Sequence, residues 1–367
     1  MRRAVRSRIV RTAIAVSGVT VSALLVLVLV AGYRGVTAGV ESYVGQDRID
    51  LWVSPPGTDN LIRSSGLLPA SLACGLARIA GVAAADPMLR GFVSVSSATQ
   101  PRAMTLLAVG CRLPDGLGVP PRLAAGSLPA RPGEVTLDRA AAHRLGVRVG
   151  DSVTVNLKRF RVAGLSSGTN LLATQFIFLD GPSAEQATGV FNRASFIGVK
   201  LAADADPAAV RRRILETYED VQVFDRAEWV RNNANEVAAG FRPLLVLITA
   251  VGTVSAAVLV ALLVQAVVDD RRQDIAVLLA LGAPLSVVAR SVVIHSASLV
   301  AGGACLGGAL TLALAALLRA TTPLLELAPR VTDLLWVLAA FGLAGLLVTL
   351  APLLRLRRID PAEAFRP

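Results

Sequence analysis

The sequence lacks the motifs of ATPases, metalloproteases and serine hydrolases. Lys158 and Lys200 are the only lysines, and neither lies in a G-x-x-x-x-G-K-[ST] run, so the chain has no P-loop of its own. The two histidines, His143 and His295, do not form an H-E-x-x-H motif, and no serine stands in a G-x-S-x-G context. We therefore predict that the chain is not an enzyme and has no catalytic residue, metal site or cofactor.

Cysteines are also scarce, and their spacing is not that of a zinc site. Cys305 falls in an apolar segment, where a thiol usually packs as a small hydrophobic group. Cys74 and Cys111 fall in the region that we place outside the cytoplasm, where a disulfide persists. They form a candidate disulfide, but the sequence leaves a bridge and two free thiols equally open.

Charged residues make up only 17% of the 367 residues, whereas 54% are hydrophobic and the mean hydropathy is +0.60, as in a membrane protein. Of the net charge of +11, residues 34–242 contribute +4, and the remaining +7 flanks the apolar segments. This is the positive-inside pattern and not a nucleic-acid-binding face. We predict a multi-pass protein of the cell membrane with cytoplasmic N- and C-termini and no nucleic-acid partner.

Four apolar segments predict four transmembrane helices, at residues 12–33, 243–268, 291–318 and 333–354. A cleaved signal peptide is the alternative for the first, but its apolar region is too long and no clear cleavage site follows. The parts between and around them are a cytoplasmic N-terminus (1–11), an extracytoplasmic domain (34–242), a cytoplasmic segment (269–290), a short outer loop (319–332) and a cytoplasmic tail (355–367).

The extracytoplasmic domain mixes strand and helix patterns, which predicts an α+β fold. Alternating or β-rich runs predict strands at Phe92–Ser96, Ser152–Leu157, Gln175–Leu179 and Ser195–Leu201. Helices are predicted at Leu68–Ile79, at Asp138–Leu145 and from Asp206 to Tyr218. Asp225 and Glu228 form a capping-box pattern for a further helix, which either continues through Pro243 into the second span or breaks between Gly240 and Pro243.

Small residues interrupt the third span at Gly302, Gly303 and Gly307. Gly303 and Gly307 form a GxxxG pair, which favours close helix packing, either within this chain or in a dimer. His295 lies near the cytoplasmic end of the same span. It is either a functional intramembrane group or a satisfied interfacial side chain.

The stretch Asp269–Leu285 lies between the second and third spans. It begins with charged residues, continues through an apolar run from Ile275 to Leu281, and closes with the stop signals Gly282 and Pro284. A helix of about ten residues spans only ~15 Å, half of a hydrocarbon core. The pattern leaves two interpretations: a helix that lies in a groove of a partner, or a plain interfacial connector.

Several segments of the sequence resemble the FtsX-like permeases of MacB-type ABC transporters, a group that includes the FtsX, LolC/LolE and DevC proteins. The run RRQDIAVLLALGA at Arg271–Ala283 is similar to the cytoplasmic signature of that family. The other similar runs are Gly126–Pro129, Gly133–Asp138, Leu145–Asp151, Phe160–Gly164 and Arg358–Ala364. One span, a large outer domain and three further spans is also the layout of that family, so the resemblance covers nearly the whole chain.

This resemblance implies a MacB-like periplasmic core domain between the first and second of four transmembrane helices. It also implies a dimer with a second permease copy or a paralogue, and two copies of a cytoplasmic P-loop ABC ATPase that binds ATP and magnesium. The short cytoplasmic helix would sit in a cleft of that ATPase, and the outer domain would move as the ATPase closes. By position, the coupling residues would be Arg271, Arg272, Asp274, Ile275, Leu278, Leu279, Gly282 and Ala283. Leu279 departs from the basic residue that many members have there.

The sequence leaves three functions open. The first is a permease subunit that couples ATP hydrolysis to export, or to extrusion of a substrate from the outer leaflet or periplasmic side. The second is a non-transporting mechanotransmitter that regulates an envelope enzyme, and either form could also bind a periplasmic adaptor. The third is a sensor or anchor without an ATPase. The sequence does not name the substrate.

Overall fold

The computed structural model describes residues 2–62, 66–169, 175–270, 284–321 and 327–356, and the structural statements below concern these residues. They fall into two compact units. Of these residues, the helical unit contains 2–34, 241–270, 284–317 and 327–356, and the sheet unit contains 35–62, 66–169, 175–240 and 318–321.

The helices in chain order are α1 (Arg2–Val44), α2 (Leu72–Leu76), α3 (Arg139–Leu145), α4 (Gly181–Thr188), α5 (Pro207–Thr217), α6 (Arg226–Asp270), α7 (Leu285–Thr321) and α8 (Val331–Leu356). The strands are β1 (Leu51–Ser54), β2 (Leu68–Pro69), β3 (Val82–Ser97), β4 (Met104–Cys111), β5 (Arg122–Gly126), β6 (Glu134–Asp138), β7 (Ser152–Val155), β8 (Lys158–Ser167), β9 (Phe176–Asp180), β10 (Arg193–Ala194), β11 (Phe196–Leu201) and β12 (Gln222–Asp225).

The helical unit is built from parts of α1, α6, α7 and α8. Its core contains apolar side chains from all four helices: Val19, Ala23, Val26, Leu27, Ala256, Val260, Val300, Ala304, Val337 and Phe341. Many large apolar side chains on the outside of the unit are exposed, which suits a helix bundle in lipid.

Three apolar stretches in the described residues are long enough to cross a membrane: Thr12–Val44, Arg226–Leu262 and Val293–Arg319. In α8 the apolar stretch Val331–Ala344 is shorter. Three of the four helices of this unit therefore meet the length requirement for a membrane span within the described part of the chain.

The sheet unit is organised around a ten-stranded, largely antiparallel sheet in the order β12-β1-β11-β3-β4-β9-β6-β8-β5, with β7 paired to β3 and β8. The 16-residue β3 is the strand that links the two halves, because its first part pairs with β11 and its second part with β4 and β7. Each half has its own core, one covered by α3 and α4 and the other by α2 and α5. The fold is α+β, as predicted.

Most predicted elements of the sheet unit are present. Asp138 caps α3 by accepting from the Ala140 N–H, and Asp206 caps α5 by accepting from the N–H groups of Ala208 and Ala209. The predicted helix at Leu68–Ile79 is wrong, because only the five-residue α2 forms there. Its first residues, Leu68–Pro69, pair with β10 as a strand instead.

Two helices extend past their predicted ends. Helix α1 continues beyond Tyr33 to Val44, and α6 runs without a break from Arg226 to Asp270 with Pro243 inside it. The predicted capping box at the start of α6 is confirmed: the Glu228 N–H donates to Asp225 Oδ1 at 2.7 Å, and the Asp225 N–H donates to Glu228 Oε2 at 3.1 Å. Of the two alternatives for Pro243, the continuous helix is the one observed.

Candidate functional site

The predicted coupling residues Arg271, Arg272, Asp274, Ile275, Leu278, Leu279, Gly282 and Ala283 lie outside the described residues. The structure describes the two helices on either side of them. Helix α6 ends at Asp270, and α7 begins at Leu285 after Pro284, whose carbonyl accepts from the Val287 N–H at 3.0 Å. The described part of the candidate site therefore consists of the contacts that these helices make with the rest of the protein.

The first turns of α6 are buried in the sheet unit. Trp229 is fully buried, and its ring stacks on that of Trp52 in β1 with 5.2 Å between centroids and 16° between planes. Phe196 of β11 packs edge-on against Trp229 at 5.3 Å. One turn later, the buried Asn233 side chain accepts from the Leu61 N–H at 2.7 Å through Oδ1. Sequence reasoning missed this contact, although Trp229, Asn233 and Val237 recur at helical spacing.

A second anchor at the start of α6 is ionic. Arg226 donates from Nη2 to Asp50 Oδ1 at 2.7 Å and from Nε to the Ile49 carbonyl at 3.0 Å. Lys200 lies 3.1 Å from the other oxygen of Asp50, which also accepts from the Leu201 N–H at 3.0 Å. Partial burial alone would raise the pKa of the Asp50 carboxyl, but the Leu201 hydrogen bond and the two cations outweigh it and lower the pKa.

The C-terminal end of α1 is also packed inside the sheet unit. Tyr43 is 1% exposed, and its hydroxyl donates to the Gly118 carbonyl at 3.1 Å. Its ring lies 5.2 Å from Phe176 and 5.8 Å from Phe178, both on β9. Like α6, α1 therefore has one part in the helical unit and one part held tightly in the sheet unit.

In the helical unit, Gly303 and Gly307 of α7 face α1. A Cβ at Gly303 would come 2.7 Å from Val19, and one at Gly307 would come 2.8 Å from the Ala23 Cβ and 2.9 Å from the Thr20 carbonyl oxygen. Gly302 faces open space. The structure thus uses the predicted GxxxG pair for packing within the chain.

An ion pair that sequence reasoning missed joins α1 to the first turn of α8. Arg34 Nη2 lies 2.6 Å from Asp333 Oδ1, and Nε donates to the same oxygen at 3.2 Å. The Ala328 N–H donates to the Ala31 carbonyl at 3.1 Å, so the segment before α8 also contacts α1. Opposite charges at the ends of two predicted spans were the available signal.

Two protein-family models match this chain. The family model of the MacB-like periplasmic core domain matches residues 12–217, and that of the FtsX-like permease C-terminal region matches residues 246–361. The chain belongs to the family of FtsX/MacB-type permeases. With its apolar helices, the permease is a multi-pass protein of the cell membrane, and the sheet unit is its extracytoplasmic domain.

The permease is similar to several uncharacterized ABC transporter permeases of Mycobacterium tuberculosis. One is 29% identical over 299 residues, 79% of this chain and 76% of the relative, and another is 29% identical over 303 residues, 79% and 77%. Among solved structures, the periplasmic region of MacB from Actinobacillus actinomycetemcomitans is 15% identical, with a TM-score of 0.40 over 50% of this chain and 91% of that one. The extracellular domain of the transporter YknZ from Gram-positive bacteria is 14% identical, with a TM-score of 0.37 over 48% and 99%.

The structure of the permease does not contain the candidate disulfide. Cys74 is exposed on α2, whereas Cys111 is 1% exposed at the end of β4, and both are free thiols. Burial raises the pKa of the Cys111 thiol, so it is held in the protonated, unreactive form. Cys305 is also free and lies on the exposed side of α7, contrary to the packing role predicted for it.

His295 lies on an exposed face of α7. Together with Arg290, Ser291 and Ser298 it lines an open groove along the first turns of that helix. The Ser298 hydroxyl donates to the His295 carbonyl at 2.7 Å, which satisfies the serine within its own helix. The groove is at the end of α7 that follows the coupling segment.

Proposed function

We propose that this chain is the permease subunit of an ABC complex that couples ATP hydrolysis to movement of the sheet unit. The ATPase is a separate cytoplasmic protein, present in two copies, which binds ATP and magnesium. A second copy of this chain or a paralogue completes the complex, and both chain termini are cytoplasmic. The movement serves export, or extrusion of a substrate from the outer leaflet or the extracytoplasmic side.

The continuity of α6 is the observation that carries this proposal. Its 45 residues form a helix roughly 65 Å long. At one end Arg226 and Trp229 are fixed by an ion pair and by aromatic stacking in the sheet unit. At the other end Asp270 leads directly into the coupling segment. A helix held this tightly at its base transmits a displacement of its far end instead of absorbing it.

A parallel route runs through α7 and α1. Helix α7 follows the coupling segment and packs against α1 at Gly303 and Gly307, where the backbones are too close for either helix to slide independently. The far end of α1 is held in the sheet unit by Tyr43. Both helices beside the coupling segment are thus connected, directly or through one contact, to the extracytoplasmic domain.

Coupling requires the ATPase to bind the coupling segment with different affinity in its open and ATP-bound states, because only a difference in affinity shifts the equilibrium. The apolar run from Ile275 to Leu281 would supply that contact. A carboxylate introduced at Leu278 would be buried without a partner, which costs about 3–5 kcal/mol. That cost corresponds to more than about a hundredfold in affinity.

The test is purification of the tagged full-length chain from native membranes, followed by mass spectrometry and ATPase assay. We expect the wild-type chain to co-purify with a P-loop ABC ATPase and to stimulate its activity. In Leu278→Asp we expect both the co-purification and the stimulated activity to be lost. The matched control is Leu215→Asp, on the exposed side of α5, where the side chain is 42% exposed. Normal stimulation by Leu278→Asp would remove the coupling assignment. A native complex without any nucleotide-binding subunit would instead favour a sensor or anchor.

A further inference from the structure

The hairpin of β7 and β8 ends in an unusual two-residue turn. Asn156 and Leu157 both have positive φ, 42° and 74°, as a type I′ turn requires. Asparagine is favoured in this conformation, but the second position normally holds glycine, because a larger side chain is strained there. Leu157 is also 97% exposed, more than any other large hydrophobic side chain in the described part of the chain. The leucine at this position is therefore explained neither by turn geometry nor by packing.

The turn is held firmly in place. Asn156 Oδ1 accepts from the Ser94 N–H at 2.8 Å, and the Asn156 N–H donates to the Ser94 carbonyl at 2.9 Å, which fixes the turn to β3. Its Nδ2 donates to the Ala187 carbonyl at 2.7 Å, which fixes the turn to α4. The tip thus presents Leu157 from a rigid support, and a partner would not have to order it on binding.

Two basic residues follow the apolar tip in the sequence. Lys158 and Arg159 follow Leu157 directly and are exposed, and within the described part of the chain Arg159 has no ion-pair partner. A second exposed apolar side chain is that of Phe92, which is 56% exposed. Phe92 precedes Ser94 by two residues in β3, so the two side chains lie on the same face of the strand. The tip combines an apolar anchor with a positively charged rim.

We propose that Leu157 is the anchor of a docking site for an extracytoplasmic protein that offers an apolar pocket with an acidic rim. The acidic rim of the partner follows from charge complementarity with Lys158 and Arg159. The apolar pocket follows from the single, preorganised, protruding leucine, because interface hot spots are side chains that fill a pocket of the partner. The inference rests on the proposed function for the role of the partner, which would be an adaptor or envelope enzyme that senses movement of the sheet unit. It does not depend on how the ATPase binds.

The first experiment maps the contact in intact cells. A photoreactive benzoylphenylalanine replaces Leu157 in the full-length chain, and the same substitution at Leu215 is the matched control. We expect one discrete protein adduct from position 157 and none from position 215. An adduct with lipid alone, with a second copy of this chain, or no adduct at all would overturn the proposal.

The second experiment uses the captured protein, purified, as the ligand of the full-length permease. Leu157→Gly should weaken binding at least about tenfold. The same change should raise the thermal midpoint by about 2–4 °C, because it relieves the strained leucine. Arg159→Glu should slow association and reduce its salt dependence. Wild-type affinity of Leu157→Gly for the captured protein would overturn the proposal. This variant should still co-purify with the ATPase, so the docking proposal can fail or succeed independently of the coupling proposal.

Discussion

Arg34 and Asp333 form an ion pair between α1 and α8 in which the two partners differ in exposure. The Arg34 side chain is 30% exposed, whereas that of Asp333 is 6% exposed. The free oxygen of Asp333 accepts from the Arg330 N–H at 3.3 Å, so the same carboxylate also caps the start of α8. Because the carboxylate is the more deeply buried partner, removing the guanidinium and removing the negative charge should have unequal consequences.

We predict that Arg34→Gln is the more destabilising of the two neutral substitutions. It leaves a buried carboxylate without its cation, at a cost of about 2–4 kcal/mol in the free energy of unfolding. Asp333→Asn keeps an acceptor for the Arg330 N–H and leaves a half-exposed guanidinium that water can reach, at a cost of about 1 kcal/mol. Unfolding of the full chain in detergent micelles measures both. The double variant should recover part of the Arg34→Gln loss, and strictly additive losses would contradict the pairing.

Gly307→Ala should be destabilising although alanine is the better helix former. The new methyl group would lie 2.8 Å from the Ala23 Cβ and 2.9 Å from the Thr20 carbonyl oxygen, so α7 and α1 must separate. Overpacking of this kind costs about 1–3 kcal/mol. Gly302→Ala is the matched control, since no atom lies within 4 Å of its added Cβ, and it should be neutral or slightly stabilising. The comparison is made by unfolding in micelles, and equal effects would rule out the α1–α7 contact.

Local patterns predicted much of this fold. Alternation marked parts of β3 and β7, and the caps Asp138, Asp206 and Asp225 marked the starts of three helices. These signals work because they act between residues close in sequence. The predicted helix at Leu68–Ile79 failed because pairing with β10, more than a hundred residues away, overrode the local preference.

The contacts that hold the candidate site together were not predictable in the same way. The Arg34–Asp333 pair joins residues 299 positions apart, and Trp52 meets Trp229 only once β1 and α6 are packed. Composition does not indicate which of several charged or aromatic residues meet. The GxxxG pair shows the intermediate case: the motif predicted close packing at Gly303 and Gly307, but only the structure identifies α1 as the partner.

Asp50 should make the stability of the sheet unit depend on acid pH. Its folded-state pKa is lowered by Leu201, Lys200 and Arg226, so its contribution is present above the unfolded-state pKa of about 3.9 and is lost as pH falls through the folded value. Asp50→Asn should therefore lower the thermal midpoint at pH 7, by the equivalent of about 1 kcal/mol after solvent screening. The gap to wild type should close as the pH falls through the lowered folded-state pKa of Asp50.

The control for this pH series is Asp204→Asn, since Asp204 is exposed and has no ion-pair partner among the described residues. It should follow the wild-type curve throughout. A gap between Asp50→Asn and wild type that stays constant from neutral to acid pH would mean that the Asp50 charge does not contribute, and that the substitution acts through packing alone.

Trp229→Leu tests whether α6 must be held at its base. Trp229 is fully buried against Trp52 and Phe196, and replacing it leaves a cavity that costs about 3–4 kcal/mol. Trp336→Leu is the matched control, because Trp336 is 76% exposed on α8, and its replacement should change stability by less than about 0.5 kcal/mol. Intrinsic tryptophan fluorescence of the full chain measures both, since Trp52, Trp229 and Trp336 are the only tryptophans.

The same pair of variants separates binding of the ATPase from transmission of its movement. Trp229 lies 42 positions before the first predicted coupling residue, Arg271, so Trp229→Leu should leave co-purification of the ATPase intact. A loosened base, however, lets α6 shift without carrying the sheet unit with it. We expect limited proteolysis of the sheet unit to differ between nucleotide-free and ATP-analogue-bound complexes in wild type and in Trp336→Leu, and to lose that difference in Trp229→Leu. A nucleotide-dependent pattern that survives in Trp229→Leu would shift transmission to α1, whose end is held independently by Tyr43.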